Sequence, residues 1–597
     1  MKGFLLGISL LALGVCYSPQ ATQHHSNTAS SCRCQPDQPC WPPKTDWDAL
    51  NASLEGNLLF VKPLAYPCHL PHYDASECVS VQLAANSSAF RSSQPGALYS
   101  ENWGEWPTKQ EQCYVKTPPS TPCGQGRIPV YAAVVRTAQD IQHAVRYAAH
   151  HNLKVAIRNT GHDFLGRSAA PGALQIFTHR MNDMTVHDAF VPVVPQGIHA
   201  PAGVRAVTLG AGVQLLEMYE YLALRGLMVV GGTARTVGIA GGYIQGGGHS
   251  LLGWLHGMGC DNVLQFQVVV ADGTVVVANA YQNSDLFFAL RGGGGGTFGV
   301  VVSVTVNAYP DPPVVHTKLS YTMPTADDAY WAGIEAVHRH LGKLNDAGAT
   351  GAYTITPADP ISDTQRVSTY SLNLVFVNQT DTSAVESLLS QALEDIKQST
   401  GISPSYNIDL VPNMSKFYSA LLGGRDQSHF TGQLGSRLLS RSLYDHPSGP
   451  ARITNALSSL RLGPADYIQG LMSAGGRVSQ NTNIDSGLNP AWRDTLVHLV
   501  YTQGWDPNTA TPAEVVSISA NMTNLQVPML RALEPGKMGA YVNEADANEA
   551  NFQESFWGPN YDRLYAIKQV RDPDGLFIVR KGVGSEDWDD QGICRLR

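Results

Sequence analysis

Residues 158–168 read Arg158-Asn159-Thr160-Gly161-His162-Asp163-Phe164-Leu165-Gly166-Arg167-Ser168 and follow the short apolar run Val155–Ile157. This stretch places one nucleophilic imidazole among glycines and small polar residues, directly after a predicted strand. Glycine lets backbone N–H groups approach a bound anion closely, and the short Asn, Thr and Ser side chains add further hydrogen bonds. The stretch therefore predicts a ligand-binding loop rather than a core strand.

The pattern on either side of the loop predicts a compact domain that ends near Pro310. Thr137 and Asp140 form the capping box of a helix that carries apolar residues at helical spacing up to residue 149. Alternation and turn signals predict further strands and a hairpin. The predicted elements are strands at 130–135, 155–157, 204–209 and 300–306, a helix at 213–225 and a hairpin turn at 271–273. Beyond residue 310 the order of elements changes, with a strand at 371–377 and an amphipathic helix at 384–397.

A second glycine-rich run, GGTARTVGIAGGYIQGGGH, spans residues 231–249. It keeps side chains out of a wide strip, which suits a flat ring system bound edge-on to main-chain N–H groups. A glycine-rich surface loop is the plain alternative.

A third run contains Gly294-x-Gly296-x-x-Gly299 and so satisfies the dinucleotide fingerprint of nicotinamide enzymes. That fingerprint must follow a strand and open a helix, whereas this one follows a helix-like segment and opens a strand. The context therefore disfavours a Rossmann site.

Together these segments resemble the FAD-linked oxidoreductases of the vanillyl-alcohol oxidase and berberine-bridge-enzyme type. The loop at 158–168 is similar to their "R-x-x-G-H-D…G-x-S", and the run at 231–249 is similar to "T-V-G-x-G-G…G-G-G". Residues 291–299 resemble their "R-G-G-G-G-x-F-G", and the tail from Tyr541 to Phe577 resembles "Y-x-N…G-x-N-Y-x-R-L…D-P…F". The resemblance is strong over 127–310, clear over 536–580, and limited to general layout in between.

The resemblance implies an α+β fold with a PCMH-type FAD-binding domain of two α+β subdomains and a substrate (cap) domain built on a large antiparallel sheet. We expect a signal peptide at 1–21, a Cys/Pro-rich extension at 22–124, the FAD domain at 125–310, the substrate domain at 311–535, and a segment at 536–597 that completes the FAD site. In this family the loop histidine bonds covalently to the 8α-methyl group of the flavin, so His162 is the expected attachment point. The other expected cofactor-binding residues are Arg158, Asn159, Thr160, Gly161, Asp163, Gly166, Ser168, Gly232, Thr233, Thr236, Val237, Gly238, Gly241, Gly242, Gly246, Gly247, Gly248, His249 and Asn543.

Two positions refine the chemistry that the resemblance implies. Relatives with two flavin bonds have a cysteine where this chain has Ala234, so we expect a single covalent bond, through His162. Val237 occupies the position that in the family admits oxygen to the flavin. The resemblance thus favours an oxidase that produces hydrogen peroxide over a dehydrogenase.

In the reaction that the resemblance implies, a base removes an O–H or N–H proton of the substrate. A hydride passes from the adjacent carbon to flavin N5, and O2 then regenerates the cofactor. Tyr541 is the candidate general base, provided that neighbouring positive charge lowers the pKa of its phenol. A strand tyrosine packed between domains is the alternative, and some relatives use a carboxylate that the sequence does not locate. His249 and Tyr243 either face the substrate or pack beside the ring.

Composition and leader predict the compartment. Lys2 followed by the apolar stretch Phe4–Val15 is typical of a secretory signal peptide. Only 15% of residues are charged and the net charge is −9, which disfavours nucleic acid and membrane surfaces as partners. N-glycosylation sequons lie at Asn51, Asn86, Asn378, Asn413 and Asn521. We therefore expect a secreted glycoprotein that acts on a small molecule, without nucleic-acid or membrane partners.

Nine cysteines follow the one in the leader, and seven of them lie within residues 32–123. This clustering in an exported protein predicts disulfides in a segment with weak secondary-structure signals. Cys260 stands alone in an apolar stretch and is the expected free thiol, which leaves Cys594 to join the N-terminal segment. A zinc site is the alternative, but no histidine pair stands at ligand spacing.

The substrate is not readable from residues 310–535. An oxidative cyclase or desaturase of a natural-product pathway would use the same flavin site as an alcohol or secondary-metabolite oxidase. A secreted flavin-binding protein with little turnover is the alternative from another class. Slow reoxidation of the reduced protein in air would favour that last hypothesis.

Overall fold

A computed structural model describes residues 32–104, 113–362, 365–424, 431–460, 462–463, 466–537 and 539–596. The predicted signal peptide at 1–21 lies outside these residues. Within them the chain forms three sheets of four or more strands, one of them a seven-stranded antiparallel sheet, surrounded by helices. The predicted α+β fold is confirmed.

The described residues contain eighteen strands and eighteen α-helices. The strands are β1 (Leu58–Phe60), β2 (Tyr131–Val134), β3 (Val155–Arg158), β4 (Leu174–Phe177), β5 (Met184–Phe190), β6 (Val204–Gly210), β7 (Leu227–Met228), β8 (Val263–Val269), β9 (Val275–Asn279), β10 (Val300–Asn307), β11 (Tyr309–Pro310), β12 (Val314–Met323), β13 (Ala349–Pro360), β14 (Arg366–Val377), β15 (Ser405–Val411), β16 (Gly432–Ser440), β17 (Tyr467–Met472) and β18 (Thr495–Gly504). The helices are α1 (Lys44–Ser53), α2 (Ala75–Ala84), α3 (Ser88–Ser93), α4 (Ala138–His150), α5 (Leu215–Ala223), α6 (Gly253–His256), α7 (Ser284–Leu290), α8 (Asp328–His338), α9 (Leu341–Asp346), α10 (Thr382–Thr400), α11 (Met414–Leu422), α12 (Arg441–Asp445), α13 (Gly449–Ser458), α14 (Gly476–Gln480), α15 (Pro512–Asn521), α16 (Val527–Arg531), α17 (Phe552–Trp557) and α18 (Tyr561–Arg571).

The first sheet, in the order β1-β2-β4-β3, delivers the chain into the histidine loop. Helix α4 begins at the predicted capping box, where the Thr137 hydroxyl accepts from the Asp140 N–H at 3.2 Å. The apolar face of α4 is buried against this sheet, and β3 then pairs in parallel with β4 and ends at Arg158. The β-α-β unit thus holds the start of the loop on a rigid frame.

The second sheet has the order β5-β6-β10-β8-β9. The predicted hairpin joins β8 to β9, and the central strand β10 pairs antiparallel with β6 and β8. The glycine-rich run 291–299 leads directly into β10, so its backbone lies at the edge of the same sheet.

The seven-stranded sheet is antiparallel throughout, in the order β15-β12-β14-β13-β17-β18-β16. Successive side chains of a strand point to opposite faces of a sheet. In β14, Leu372 and Leu374 lie in a core shared with α8, α10 and α13, whereas Asn373 and Val375 line a cavity on the other face. The sheet therefore offers one face to its own helices and the other to a chamber.

The C-terminal segment returns to the first two sheets. The buried Lys568 donates to the carbonyl oxygens of Thr297 and Phe577 at 2.7 and 2.8 Å and pairs with Asp572 at 2.6 Å. A disulfide joins Cys32 to Cys594, as predicted for the last cysteine.

The N-terminal segment is more regular than its sequence signals indicate. It forms α1, α2 and α3, and β1 pairs with β2 at the edge of the first sheet. These helices have at most ten residues, too few for a periodic pattern to stand out among prolines and cysteines. Further disulfides join Cys34 to Cys40, Cys68 to Cys78 and Cys113 to Cys123.

The remaining cysteine, Cys260, is free and buried, as predicted. Among the described residues no group of histidine, cysteine and carboxylate side chains could hold a metal ion. The cysteines of the N-terminal cluster are all paired in disulfides, so none of them is left as a zinc ligand.

Candidate active site

A narrow cavity of about 240 Å³ lies between the histidine loop, the run 231–249 and the C-terminal segment. Most of the residues predicted from the sequence form its walls. They are Asn159, Thr160, Gly161, His162, Asp163, Ser168, Gly232, Thr233, Val237, Gly238, Gly241, Gly242, His249, Tyr541 and Asn543.

Six predicted residues stand outside that wall: Arg158, Gly166, Thr236, Gly246, Gly247 and Gly248. The fully buried Arg158 guanidinium donates to the carbonyl oxygens of Gln94, Pro95 and Arg91, so it supports the loop from below. A side chain at Gly166 would meet the Trp103 ring at 2.5 Å, and one at Gly246 would meet the Asn543 amide at 2.4 Å. These glycines are explained by close packing rather than by contact with the cavity.

His162 lies in the cavity wall in a fixed orientation. Its ring stacks on Tyr99 with 4.2 Å between ring centroids, and its Nε2 lies 2.6 Å from the Thr236 hydroxyl oxygen. Burial, assisted by the Arg158 cation, lowers the pKa of His162 to about 3. The imidazole is therefore neutral at physiological pH and carries a nucleophilic lone pair.

Asn543 connects the three segments that form the cavity. Its Oδ1 accepts from Arg167 at 3.3 Å, and its Nδ2 donates to the Gly242 carbonyl and to the Tyr541 hydroxyl, both at 2.8 Å. Arg167 in turn holds the Asp163 carboxylate through its Nε at 2.7 Å. The tail motif thus reaches back across the sequence to the histidine loop.

Two observations test whether an isoalloxazine ring with its sugar-phosphate tail suits this cavity. The buried side-chain oxygens of Asn159 and Gln245 line it and have no hydrogen-bond partner among the described residues. An ideal Cβ on Gly242 would meet nothing within 4 Å, so this backbone borders open space. FAD carries ring N–H and ribityl hydroxyl donors that would satisfy such acceptors, and the residues present therefore fit the group.

Tyr541 does not meet the condition attached to its predicted role as a base. It is 2% exposed, and its hydroxyl accepts from the Gly248 N–H at 3.2 Å as well as from Asn543. Burial, followed by the nearby Glu544 carboxylate, raises the pKa of Tyr541. The neighbouring charge is negative rather than positive, so the phenol stays protonated.

The sequence interpretation missed several residues of the wall. Gly295, Gly296 and Gly299 line it, and the third glycine run had signalled them. Tyr99 comes from the extension that carries no family motif, and Glu544 lies next to Asn543 without a pattern of its own. Nothing local in the sequence marks either as a cavity residue.

The first cavity, of about 240 Å³, is called the flavin-side cavity below. A second cavity of about 1160 Å³ opens between it and the seven-stranded sheet. We call it the chamber. Tyr99, Phe164, Thr233, His249 and Glu544 line both spaces. The remaining chamber wall includes alternate residues of the sheet, namely His316, Lys318, Ala352, Thr354, Asn373, Val375, Tyr467, Gln469, Leu471, Val500 and Thr502.

Comparisons with known proteins match the segments of the chain that form the flavin-side cavity. A family model described as "FAD binding domain" matches residues 129–279, and one described as "Berberine and berberine like" matches residues 540–584. An uncharacterized FAD-linked oxidoreductase of Arthroderma benhamiae is 47% identical, covering 96% of this chain and 97% of the relative. An FAD-linked oxidoreductase of Malbranchea aurantiaca is 41% identical over 98% and 96% of the two chains. A solved VAO-type flavoprotein of Myceliophthora thermophila is 34% identical with a TM-score of 0.82, covering 94% of this chain and 100% of that one.

Proposed function

From the premise that the chain belongs to the FAD-linked oxidoreductases with a berberine-like C-terminal segment, we propose that it is a secreted oxidase with FAD bound covalently through His162. The substrate is a small organic molecule, an alcohol or a secondary metabolite, and O2 is reduced to H2O2. FAD, when bound, accepts a hydride from the substrate carbon and passes two electrons to oxygen.

The orientation of His162 carries the proposal of a covalent bond. An imidazole that donates from Nε2 to Thr236 keeps the Nδ1 lone pair, and the lowered pKa keeps that lone pair unprotonated. Ala234 lines the same cavity and offers no second nucleophile. A single bond through His162 is therefore the attachment that these residues support.

The rest of the cavity supports the binding of FAD and access of oxygen. Asn159, Gln245 and the glycine backbone at 238–242 would hold the cofactor, with Asn543 fixing the tail segment against them. Val237 lines the cavity and presents a small side chain there. This supports an oxidase over a dehydrogenase.

The size of the chamber bears on the substrate. Ligand sites in proteins are usually about 300–1,000 Å³ in volume, and the chamber reaches about 1160 Å³. Its wall mixes aromatic and aliphatic side chains with Lys318, Asn373 and Gln469. A bulky substrate with polar groups suits this space. The size of the chamber therefore favours, as the second candidate, an oxidative cyclase or desaturase that acts on a multi-ring compound.

Several features support secretion. Four disulfides staple the described chain, and such bonds persist in oxidising compartments. Asn86, Asn378 and Asn521 are exposed, as glycan acceptors must be, whereas Asn51 and Asn413 are half-buried and accept backbone hydrogen bonds. None of the helices within the described residues has the length and apolar character needed to cross a bilayer.

The deciding experiment is an absorption spectrum of the purified protein before and after acid precipitation. We expect yellow colour that stays in the wild-type pellet and moves to the supernatant in His162→Ala. Flavin released from the wild type into the supernatant would rule out the covalent bond but would leave the family assignment unchanged. A dithionite-reduced protein that reoxidises slowly in air would replace the oxidase with the hypothesis of a flavin-binding protein of little turnover.

A further inference from the structure

Three side chains meet at the boundary between the flavin-side cavity and the chamber. Glu544 and His249 line both spaces. The two carboxylate oxygens of Glu544 lie 3.2 Å from His249 Nε2 and 3.0 Å from His498 Nε2. His498, on β18, is fully buried behind the other two. One carboxylate thus bridges two imidazoles where substrate and cofactor meet.

The charge of Glu544 fixes how these groups share protons. Burial acts to raise the pKa of Glu544, but the His249 and His498 imidazoles hold it well below its usual range, so the carboxylate is ionised. An ionised carboxylate only accepts hydrogen bonds, so both Nε2 atoms donate to it. In the neutral form of each ring, Nδ1 is then the nitrogen that carries no proton.

The two histidines differ in what Nδ1 can do. The Nδ1 of His498 is buried without a partner among the described residues, and burial lowers the pKa of His498 more than Glu544 raises it. His498 therefore stays neutral and holds Glu544. No described residue hydrogen-bonds Nδ1 of His249, whose side chain is 15% exposed in the wall of both cavities. Its lone pair is the uncommitted one.

Tyr541 is unsuited to take a proton, since its oxygen already accepts two hydrogen bonds and the phenol remains protonated. The Tyr541 and His249 rings lie edge to face with 5.3 Å between centroids.

We propose that His249 accepts the substrate proton and that Glu544 orients His249 and stabilises the positive charge it gains. His498 is a positioning residue that holds Glu544. This inference rests on the proposed function. In this step the O–H or N–H bond of the substrate breaks, the proton bonds to His249 Nδ1, and the electron pair stays on the heteroatom. Loss of a hydride from the adjacent carbon to the cofactor then forms the C=O or C=N bond. The imidazolium that results is stabilised by the adjacent carboxylate.

The titratable groups around His249 are few. Glu544 and Tyr541 face it from the C-terminal segment, and His498 faces it from β18. The Tyr243 hydroxyl donates to the His249 carbonyl oxygen at 2.8 Å, and burial raises the pKa of Tyr243. Among these groups Glu544 carries the only negative charge, so it dominates the field on His249.

The first test uses the holoenzyme and a panel of alcohols and amines, followed by hydrogen peroxide release. With any compound that reacts, His249→Asn should lower kcat/KM by about 10²–10⁴-fold, the usual contribution of acid–base catalysis. Tyr541→Phe should lower kcat/KM much less. A His249→Asn variant as active as the wild type, or a Tyr541→Phe variant that loses more activity than His249→Asn, would overturn the proposal.

The second test separates positioning from general structure. His498→Asn keeps an N–H donor for Glu544 and should retain most of the activity, whereas His498→Leu should lower kcat about tenfold with KM unchanged. Glu544→Gln removes the charge that stabilises the imidazolium and should lower kcat. Equal activity in His498→Asn and His498→Leu, or an unchanged kcat in Glu544→Gln, would contradict the arrangement.

A readout independent of turnover is the tautomer of the two rings. In histidine labelled with ¹⁵N, both rings should show a protonated Nε2 and an unprotonated Nδ1, and both signals should shift in Glu544→Gln. The opposite tautomer at His249 would exclude Nδ1 as the acceptor. If no compound reduces the flavin of the wild type, the proposed function and the role of His249 are both rejected. If the wild type is active and His249→Asn is equally active, only the role of His249 is rejected.

Discussion

The flavin-side cavity and the chamber share a boundary but are built by different parts of the chain. Backbone forms much of the first, with glycines at positive φ such as Gly161 at +86° and Gly296 at +75°. Alternate side chains of a regular antiparallel sheet form much of the second. A cofactor held by main-chain groups requires residues without side chains, and these are visible in the sequence. A site that recognises its substrate through strand side chains shows in the sequence only as the alternation of residues that any strand has.

Among the variants that compare these two regions, the largest effect is expected at Thr236, whose hydroxyl orients His162. Thr236→Val keeps the shape of the side chain but removes the hydrogen-bond partner of Nε2. We expect covalent attachment to slow by on the order of 100-fold, within the range typical of a positioned proton partner. Flavin fluorescence of the denatured protein, followed over time after FAD is added to the apoprotein, measures this rate.

Thr236→Ser is the matched control because it keeps the hydroxyl, and we expect it to attach flavin nearly as fast as the wild type. Equal rates in Thr236→Val and Thr236→Ser would show that the Nε2 contact does not prepare His162.

The next effect concerns two neighbouring glycines of the flavin-side cavity. A Cβ on Gly238 would stand 2.0 Å from the Asn159 amide nitrogen, whereas a Cβ on Gly242 would meet no protein atom within 4 Å. Gly238→Ala should therefore lower flavin occupancy. It should also lower the free energy of unfolding by about 1–3 kcal/mol, the usual cost of overpacking. Gly242→Ala should lower occupancy alone, because its methyl group enters space that FAD would use.

Flavin content per chain and thermal unfolding of the apoprotein measure the two quantities separately. A stability loss in Gly242→Ala equal to that in Gly238→Ala would mean that the backbone, rather than the ligand, fills the space beside Gly242.

These glycines explain how far the sequence could be interpreted. A positive φ at Gly161 and the close approach of the Asn159 side chain at Gly238 restrict the residue type, so the histidine loop, the two further glycine runs and the strands around them were predictable. Tyr99, Glu544 and His498 reach the site from three distant parts of the chain, and only the tertiary fold brings them together. Neither periodicity nor a turn residue marks such contacts. The pKa of Tyr541 is likewise raised mainly by burial, which only the tertiary fold provides, and then by the nearby Glu544 carboxylate.

A smaller effect concerns the core on the other face of the seven-stranded sheet and its response to pH. His338 lies in the core behind the seven-stranded sheet, where burial lowers its pKa to about 3. An unfolded histidine titrates near about 6.5, so the unfolded chain binds one more proton between these values and the free energy of unfolding falls as the pH falls. At pH 5.5 the loss is about 1.4 kcal/mol, a tenfold change in the unfolding equilibrium constant.

His338→Phe should reduce the drop in the thermal unfolding midpoint between pH 7 and pH 5.5. His150 is exposed at the end of α4, so His150→Gln should leave the drop unchanged. An identical drop in His338→Phe and the wild type would show that His338 does not contribute to the acid sensitivity.

The smallest effect tests whether the chamber face of the sheet selects the substrate. Asn373 and Thr369 lie on the same face of β14, but only Asn373 lines the chamber. Asn373→Leu should change kcat/KM by roughly tenfold, about the value of one hydrogen bond, and in opposite directions for polar and apolar compounds. Thr369→Val should leave the order of substrates as it is. Flavin content should stay equal in both variants, because neither residue borders the flavin-side cavity. If Asn373→Leu lowered flavin content instead, a residue of the chamber would affect cofactor binding. The flavin-side cavity, built from backbone, and the chamber, built from side chains, would then not have separate functions.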